Sequence, residues 1–444
     1  MLPGLGMQTA HGKDAFSVRM QDAISVSMQD AMTAQEEGSM PLSLEDARKY
    51  ALAHNKVLAN AGLAVDEAGS RLRETIAQGL PQVSATVDYN NFFGSTASLG
   101  AFPGMMIEFN PTSNLSVSVG QLIFSGSYIV GIQTAKLFRE VTETSLEKTE
   151  LEIRAQVTQA YQLALVSQEY RKILGANLDN IRDLLGKTRA LVDVGVAEEV
   201  DYDQLTVQVS MLDDAVRAAD RQVELSLNML RLQMGMDAAQ EITLTDDLNR
   251  IISGSDYRSS LGTPFSLQDN PDFRMMSLQT GMAGKQVQLQ RAAYLPTLTG
   301  FYNFTEKLLK PEFDITPNHV IGLNLSIPIF ESGVRKHRVQ QARINLEVAE
   351  NQQELLSQQL KIQEKQLRFN LNTAIEQYES QLKNLEVARR VYRNFDNKFR
   401  QGMVSSLDMI TANNNYLQAE NSYVSALMQL LEAQVALETL LNTL

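Results

Sequence analysis

The chain has 444 residues, 44% of them hydrophobic and 20% charged, a balance that excludes a disordered chain. Its net charge of −13 argues against nucleic acid as a partner, which a basic face would mark. The absence of cysteine excludes a disulfide framework, a cysteine metal site and a lipid-bearing cysteine, and is compatible with an oxidising compartment such as the periplasm.

Residues 1–41 carry a near-duplicated octamer, Ser17–Ile24 and then Ser25–Met32, and read as a poorly ordered leader. They lack the continuous apolar core of a secretory signal, so an exported protein would have its signal outside this numbering. Residues 42–79 are helical in pattern, with Leu42, Leu44, Ala47, Ala51, Leu52, Leu58, Ala61 and Val65 at helical spacing. Pro81 stops that helix. Val83, Ala85, Val87 and Tyr89 then alternate with Ser84, Thr86, Asp88 and Asn90, which predicts a half-buried strand. A glycine- and proline-bearing loop over 92–112 leads to a second alternating run that ends near Phe124.

From Phe124 to Met236 the pattern is one very long helix, a turn at Gly195 and a returning helix. The same order recurs from Phe330. Gly126 falls on Gly333, Gln133 on Gln340, Ala135 on Ala342, Gly195 on Gly402 and Asp201 on Asp408, all at one constant offset. The chain is therefore two copies of one unit. The first copy spans 42–236, with its strand pair in 82–124. A linker over 237–265, rich in Asp, Ser and Gly, is expected to form a small equatorial collar with the helices near 42–60. The second copy spans 266–444. In it a helix over 270–293 precedes Pro296, strands are expected over 297–305 and 319–328 within the strand pair 297–328, and the turn lies at Gly402.

All 11 prolines avoid 112–263 and 329–444. Proline inside a helix costs about 3 kcal/mol, so these tracts predict long helices. The first would span about 100 Å at the ordinary helical rise, too long for a compact domain, and must be paired along its length. Leu371, Ala374, Tyr378, Gln381, Leu385, Ala388, Tyr392, Phe395 and Phe399 form a coiled-coil seam. The returning helix shows two seams, through Leu407, Ile410, Leu417, Val424, Met428, Leu431 and Val435, and through Tyr416, Tyr423, Leu427, Leu430, Leu437 and Leu441. Two apolar faces imply two helical neighbours, as in a closed ring of helices or, in part, the core of one hairpin.

No run of 18 or more apolar residues occurs, so no transmembrane helix is expected. The strands have the length of membrane strands. Four from one chain cannot close a barrel without an open edge, and three chains would supply twelve, enough to leave a lumen. Tyr89, Phe92, Phe93, Tyr294, Phe301, Tyr302 and Phe304 are candidates for an interfacial aromatic girdle, or else for ordinary sheet packing.

The doubled order of helix, Leu-Pro, strand pair, long helix, glycine turn and helix resembles the TolC family of outer-membrane channel proteins. The matching marks are Leu80-Pro81 and Leu295-Pro296, Ile123–Gly126 and Ile329–Gly333, and the turns Val194-Gly195-Val196 and Gln401-Gly402-Met403. Asn270-Pro271 matches the family's Asn-Pro, whereas the first copy has Asn55-Lys56. The resemblance covers about 42–444. It implies a mainly α fold with a membrane β-barrel: duplicated long coiled-coil hairpins forming a trimeric α-barrel, with four strands per chain in a 12-stranded β-barrel. It implies a homotrimer in the outer membrane, touching its lipid, with a periplasmic helical domain, a periplasmic adaptor and an inner-membrane transporter as partners, and drugs, metals, dyes or polypeptides as cargo.

No enzyme chemistry is expected. His11, His54, His319 and His337 show no paired metal spacing, and there is no phosphate loop or dinucleotide fingerprint, so no cofactor or metal is expected. The turns are the candidate site. The resemblance places Asp408 at a ring of aspartates in the periplasmic entrance and Asp201 at a latch between helices. Glu198 and Glu199 extend that acidic cluster, and the turn residues Val194, Gly195, Val196, Gln401, Gly402 and Met403 would meet the adaptor. The family's second ring aspartate falls on Thr411, and a tyrosine and an arginine of its latch fall on Phe399 and Val404. The plainer reading is capping: Ser405-Ser406-Leu407-Asp408 is a capping box, and acids suit the first turn of a helix. A coiled-coil scaffold or periplasmic adaptor without a pore is the alternative function, but it has no use for doubled membrane-length strands.

Overall fold

The computed structural model describes residues 39–98, 106–254, 257–310 and 316–444. The octamer repeat and parts of the loops expected over 92–112 and 306–318 lie outside them. In chain order the elements are β1 Met40–Leu42, α1 Leu44–His54, α2 Lys56–Ala77, β2 Gln82–Asn90, β3 Thr96–Ser98, β4 Met106–Glu108, β5 Thr112–Phe124, α3 Gly126–Asp193 and α4 Glu199–Met234. They continue with β6 Ile242–Leu244, α5 Leu248–Gly254, α6 Tyr257–Gly262, α7 Pro271–Ala292, β7 Thr297–Leu309, β8 His319–Ser326, α8 Val334–Arg400 and α9 Ser406–Leu441. The two long helices have 68 and 67 residues, and both returning helices have 36. The chain divides into two compact units, one of residues up to Ala59 with Thr149–Phe265 and Ile362–Leu444, the other of Asn60–Lys148 and Ser266–Lys361.

The first unit is a four-helix core. Leu174, Leu178, Ile181 and Leu184 of α3 pack with Leu205, Leu212, Val216 and Ala219 of α4, Phe399 of α8 and Met409 of α9. Farther along, Leu371, Ala374 and Ile375 of α8 meet Leu430 and Leu437 of α9. Every residue of the α8 seam read from the sequence is buried or half-buried. Truncating a buried partner of that seam on α9, as in Leu430→Ala, would cost about 2–5 kcal/mol, read as a lower melting temperature. Both seams of α9 find neighbours within the one chain: α8 on one side, and α4 on the other, where Gln208 Nε2 donates to Asn414 Oδ1 at 3.0 Å. Only Leu407, 59% exposed at the start of the helix, stands outside that packing. By length and composition α9 could cross a membrane, contrary to the expectation that no helix would, but its apolar residues form this core.

The expected helix over 42–79 is broken at Asn55. Its side chain accepts from the backbone N–H groups of Val57 at 2.8 Å and Leu58 at 3.3 Å, and donates to the Gln233 carbonyl at 2.7 Å. Asn270 caps α7 in the same way, accepting from Asp272 at 3.1 Å and Phe273 at 3.2 Å. An asparagine cap does not require the proline that follows it, so Asn55-Lys56 keeps the function of Asn270-Pro271. Met40–Leu42, which overlap the expected leader of 1–41, pair in parallel with β6. The segment 237–265 holds β6, α5 and α6. Its Asp246 accepts from Leu44 N at 2.7 Å and from the Tyr161 hydroxyl at 2.9 Å, and Tyr161 also donates to the Leu42 carbonyl. Burial, followed by that hydrogen bond, pushes the Tyr161 hydroxyl above the ordinary tyrosine range.

In the second unit, a four-stranded antiparallel sheet has the order β2-β5-β7-β8. The loop expected over 92–112 contains a small hairpin, β3 with β4. Strand β7 runs on to Leu309 instead of stopping at 305, because residues 306–309 continue the ladder with β5 through a register shift at Ser113 and Asn114.

Candidate functional site

The hairpin tips repeat one geometry. At the end of α3, Gly195 has φ +75°, and Val196 N–H donates to the Leu191 carbonyl at 2.8 Å. At the end of α8, Gly402 has φ +70°, and Met403 N–H donates to the Lys398 carbonyl at 2.9 Å. These are helix C-caps closed by a left-handed residue, where a Cβ is strained, and that is why glycine occupies both. No heavy atom lies within 4 Å of where a Cβ would stand on either glycine. Beside them Val194, Val196, Met403 and Leu407 are exposed and apolar, and Gln401 is exposed.

Two acids of the tips, Asp408 and Asp201, are caps. Asp408 Oδ2 accepts from the Ser405 hydroxyl at 2.7 Å and the Ser405 backbone N–H at 3.1 Å, while Ser405 Oγ accepts from Asp408 N at 3.2 Å. Those bonds, the hydroxyl's first, hold the Asp408 carboxyl below the usual carboxylate range. It therefore stays ionised at neutral pH within one chain. The cap's contribution is present above the ordinary carboxylate range and is lost as pH falls through the lowered value. Asp201 sits one repeat earlier and accepts from Glu198 N–H at 3.3 Å, so the first returning helix starts the same way. Glu199 pairs with Arg189 at 3.0 Å. Arg189 also reaches Asp193 at 3.2 Å and lies 5.1 Å over the Tyr202 ring. Sequence reading passed over Arg189, although its i,i+4 spacing to Asp193 was there to find. Phe399 and Val404 pack in the core instead of facing outward, and the Thr411 hydroxyl donates back to the Leu407 carbonyl at 2.8 Å. Pro81 and Pro296 stand between helix and strand, just before β2 and β7.

The sheet is the second feature. Residues paired across antiparallel strands share a face. One face carries Val83, Ala85, Val87 and Tyr89, paired with Ser113, Leu115, Val117 and Val119; it continues through Leu298, Tyr302 and Phe304 to His319, Ile321, Leu323 and Leu325. Val83 is 69% exposed, Val87 68%, Ile321 84% and Leu323 71%. The opposite face carries Ser84, Thr86, Asp88, Asn114, Ser116, Ser118, Asn303, Thr305, Asn324 and Ser326. There Asn114 Nδ2 donates to Asp88 Oδ2 at 3.1 Å. Apart from Ser113, Gln121, Glu306 and His319, the first face is apolar, and no other described part of the chain covers it. Tyr302 and Phe304 lie on that face, with the Tyr302 hydroxyl 2.9 Å from His319 Nδ1. Phe301 does not belong with them. It sits on the polar face, its ring filling the space over Gly322, where a Cβ would come within 2.6 Å of it. Phe92 packs on Phe109 and Tyr294 under Arg335.

Among the described residues, no group of three or more His, Cys, Asp or Glu could hold a metal. A family model described as outer membrane efflux protein matches residues 47–236 and 265–443. The probable efflux pump outer membrane protein TtgC of Pseudomonas putida is 23% identical over 420 residues, covering 89% of this chain and 82% of that protein. The antibiotic efflux pump outer membrane protein ArpC of Pseudomonas putida gives the same figures. Solved structures share the fold. CusC aligns with a TM-score of 0.73 at 16% identity, over 90% of this chain and 91% of its own. The Campylobacter jejuni CmeC outer membrane channel aligns with 0.71 at 17%, over 90% and 85%.

Proposed function

We propose, since the chain belongs to the outer membrane efflux protein family of tripartite efflux systems, that three copies close their sheets into one twelve-stranded barrel in the outer membrane. The helical hairpins form a passive periplasmic conduit. An inner-membrane transporter and a periplasmic adaptor deliver cargo at the tips. The observation that carries this reading is the bare apolar face opposite a polar one, the reverse of a soluble sheet and the pattern of a barrel wall between lipid and water. Four strands leave two open edges, which lipid does not tolerate, so further copies must supply the rest. The helices have surface left for those copies. Val207, Met211, Leu225 and Leu232 of α4 are 56–68% exposed, and Ile362 and Phe369 of α8 are each 68% exposed. The antibiotic-exporting relative makes small organic molecules the first cargo to test.

The experiment is reconstitution of the purified protein into planar bilayers. Discrete conductance steps, from protein that leaves membranes only with detergent, are the expected result. Water-extractable protein that never conducts would contradict it and would favour the scaffold reading.

Asp408, Asp201, Glu198 and Glu199 are proposed to make the entrance acidic. Asp408→Asn keeps a cap acceptor and removes the charge. Under the entrance reading, single-channel recordings of Asp408→Asn show weaker cation selectivity and weaker block by multivalent cations, at nearly unchanged melting temperature. Under capping alone, both stay as in the parent. Neutralising Glu198, Glu199 and Asp201 is the second step, and unchanged selectivity after both steps removes the acidic entrance.

A further inference from the structure

The two hairpins superpose residue for residue in sequence, but they treat one ion pair differently. In the first, Arg182 of α3 pairs with Asp213 of α4 at 3.0 Å, and Arg217 joins at 2.6 Å. That pair is at the surface: the Arg182 side chain is 51% exposed and Asp213 28%. At the same offset the second hairpin has Arg389 and Glu420. Glu420 is only 4% exposed, and its Oε2 is buried with no hydrogen-bond partner. One heptad earlier, Asn413 is fully buried with both amide atoms unpartnered, where the first hairpin has exposed Thr206. The core around Glu420 has changed too. Tyr392 and Tyr416, stacked at 5.3 Å, replace Leu185 and Val209.

A carboxylate in such a place is costly unless a cation meets it. The groups acting on it are few. Tyr416 of its own helix hydrogen-bonds it, exposed Arg389 of α8 acts through space while bonding Tyr416, and Tyr170 of α3 feels its charge. Helix α4 adds no group to this set. Burial raises the carboxyl above its ordinary value, outweighing Tyr416 and Arg389.

We infer that Glu420 is protonated in the packed second hairpin and that its ionisation loosens α9 from α8 and α3, a proton-dependent catch that the first hairpin lacks. The sign follows from linkage. Neutral glutamic acid fits the core, so packing is complete at low pH and weakens as pH rises through the raised native value. The tyrosines stay neutral throughout that window; burial, then Asp396, pushes Tyr392 up to about 12. The inference rests on helix packing and not on the channel reading, so a protein that fails to conduct leaves it standing.

Amide exchange on the whole protein in mild detergent tests it, after correction for the intrinsic pH dependence of exchange. Protection in 413–424 is expected to fall, by up to about tenfold per pH unit, as pH rises from the ordinary glutamate value to the raised native one, and to level off above it. The matching segment 206–217 of the first hairpin serves as the internal control and holds its protection. Glu420→Gln, neutral at every pH, should keep 413–424 protected throughout. If that variant does not fold, the parent's contrast between the two segments still decides. Equal behaviour of the two segments in the parent, or a fall that survives in Glu420→Gln, overturns the inference.

Discussion

Leu323→Arg is expected to remove most of the protein from the membrane, while Thr86→Arg leaves it there. Both positions are exposed on the sheet, and in water neither substitution would change stability by more than about 0.5 kcal/mol. They lie on opposite faces, Leu323 with Ile321 and Leu325, Thr86 with Ser116 and Thr305. An arginine on the lipid face near mid-depth costs about 2–4 kcal/mol, and each copy of the assembly bears that cost. On the lumen side it meets water. The readout is the fraction of detergent-extractable oligomer in washed membranes, which should collapse for Leu323→Arg alone. Equal recovery of the two variants would mean that the apolar face does not meet lipid.

Gly195→Trp and Gly402→Trp should each reduce export to the level of cells lacking the protein, with the oligomer intact. A Cβ at either glycine has no heavy atom within 4 Å, so a side chain there starts in open space. The left-handed backbone strains any side chain by about 1–2 kcal/mol, small against a hairpin core built from four helices. Bulk at the tip, however, blocks the close approach of a partner's backbone. Gly195→Ala and Gly402→Ala separate the two effects, because they carry the strain without the bulk and should keep most export. Undiminished export by the tryptophan variants would place the adaptor elsewhere.

Much of this was legible in the sequence because it rests on periodicity and on residues with one job. Proline placement marked the long helices, and period-two alternation marked the strands. The 3–4 spacing from Leu371 to Phe399 marked a seam whose members are all at least half-buried. Alternation put Phe301 opposite Tyr302, but it does not say what either face meets, so both stood among the girdle candidates although only Tyr302 lies on the apolar face. Asn55 stood out only for lacking the proline that follows Asn270; its capping role was hidden because a capping asparagine within an unbroken helical pattern looks like any polar surface residue. The first tip's cap lacks the serine that made Ser405 and Asp408 visible, so Asp201's bond to Glu198 showed only in the fold. Glu420 was hidden for a different reason. A glutamate on a long helix reads as solvated, and only the folded chain shows it buried, 4% exposed.

The central claim is that this chain is one of three parts of a wall. Native mass measurement of protein released in mild detergent tests it most directly, since one chain weighs 49.4 kDa. The account predicts a single species of three chains. A monomer or a dimer that still conducts ions across a bilayer would contradict it, because one sheet, or two, leaves no room for the lumen through which cargo is proposed to pass.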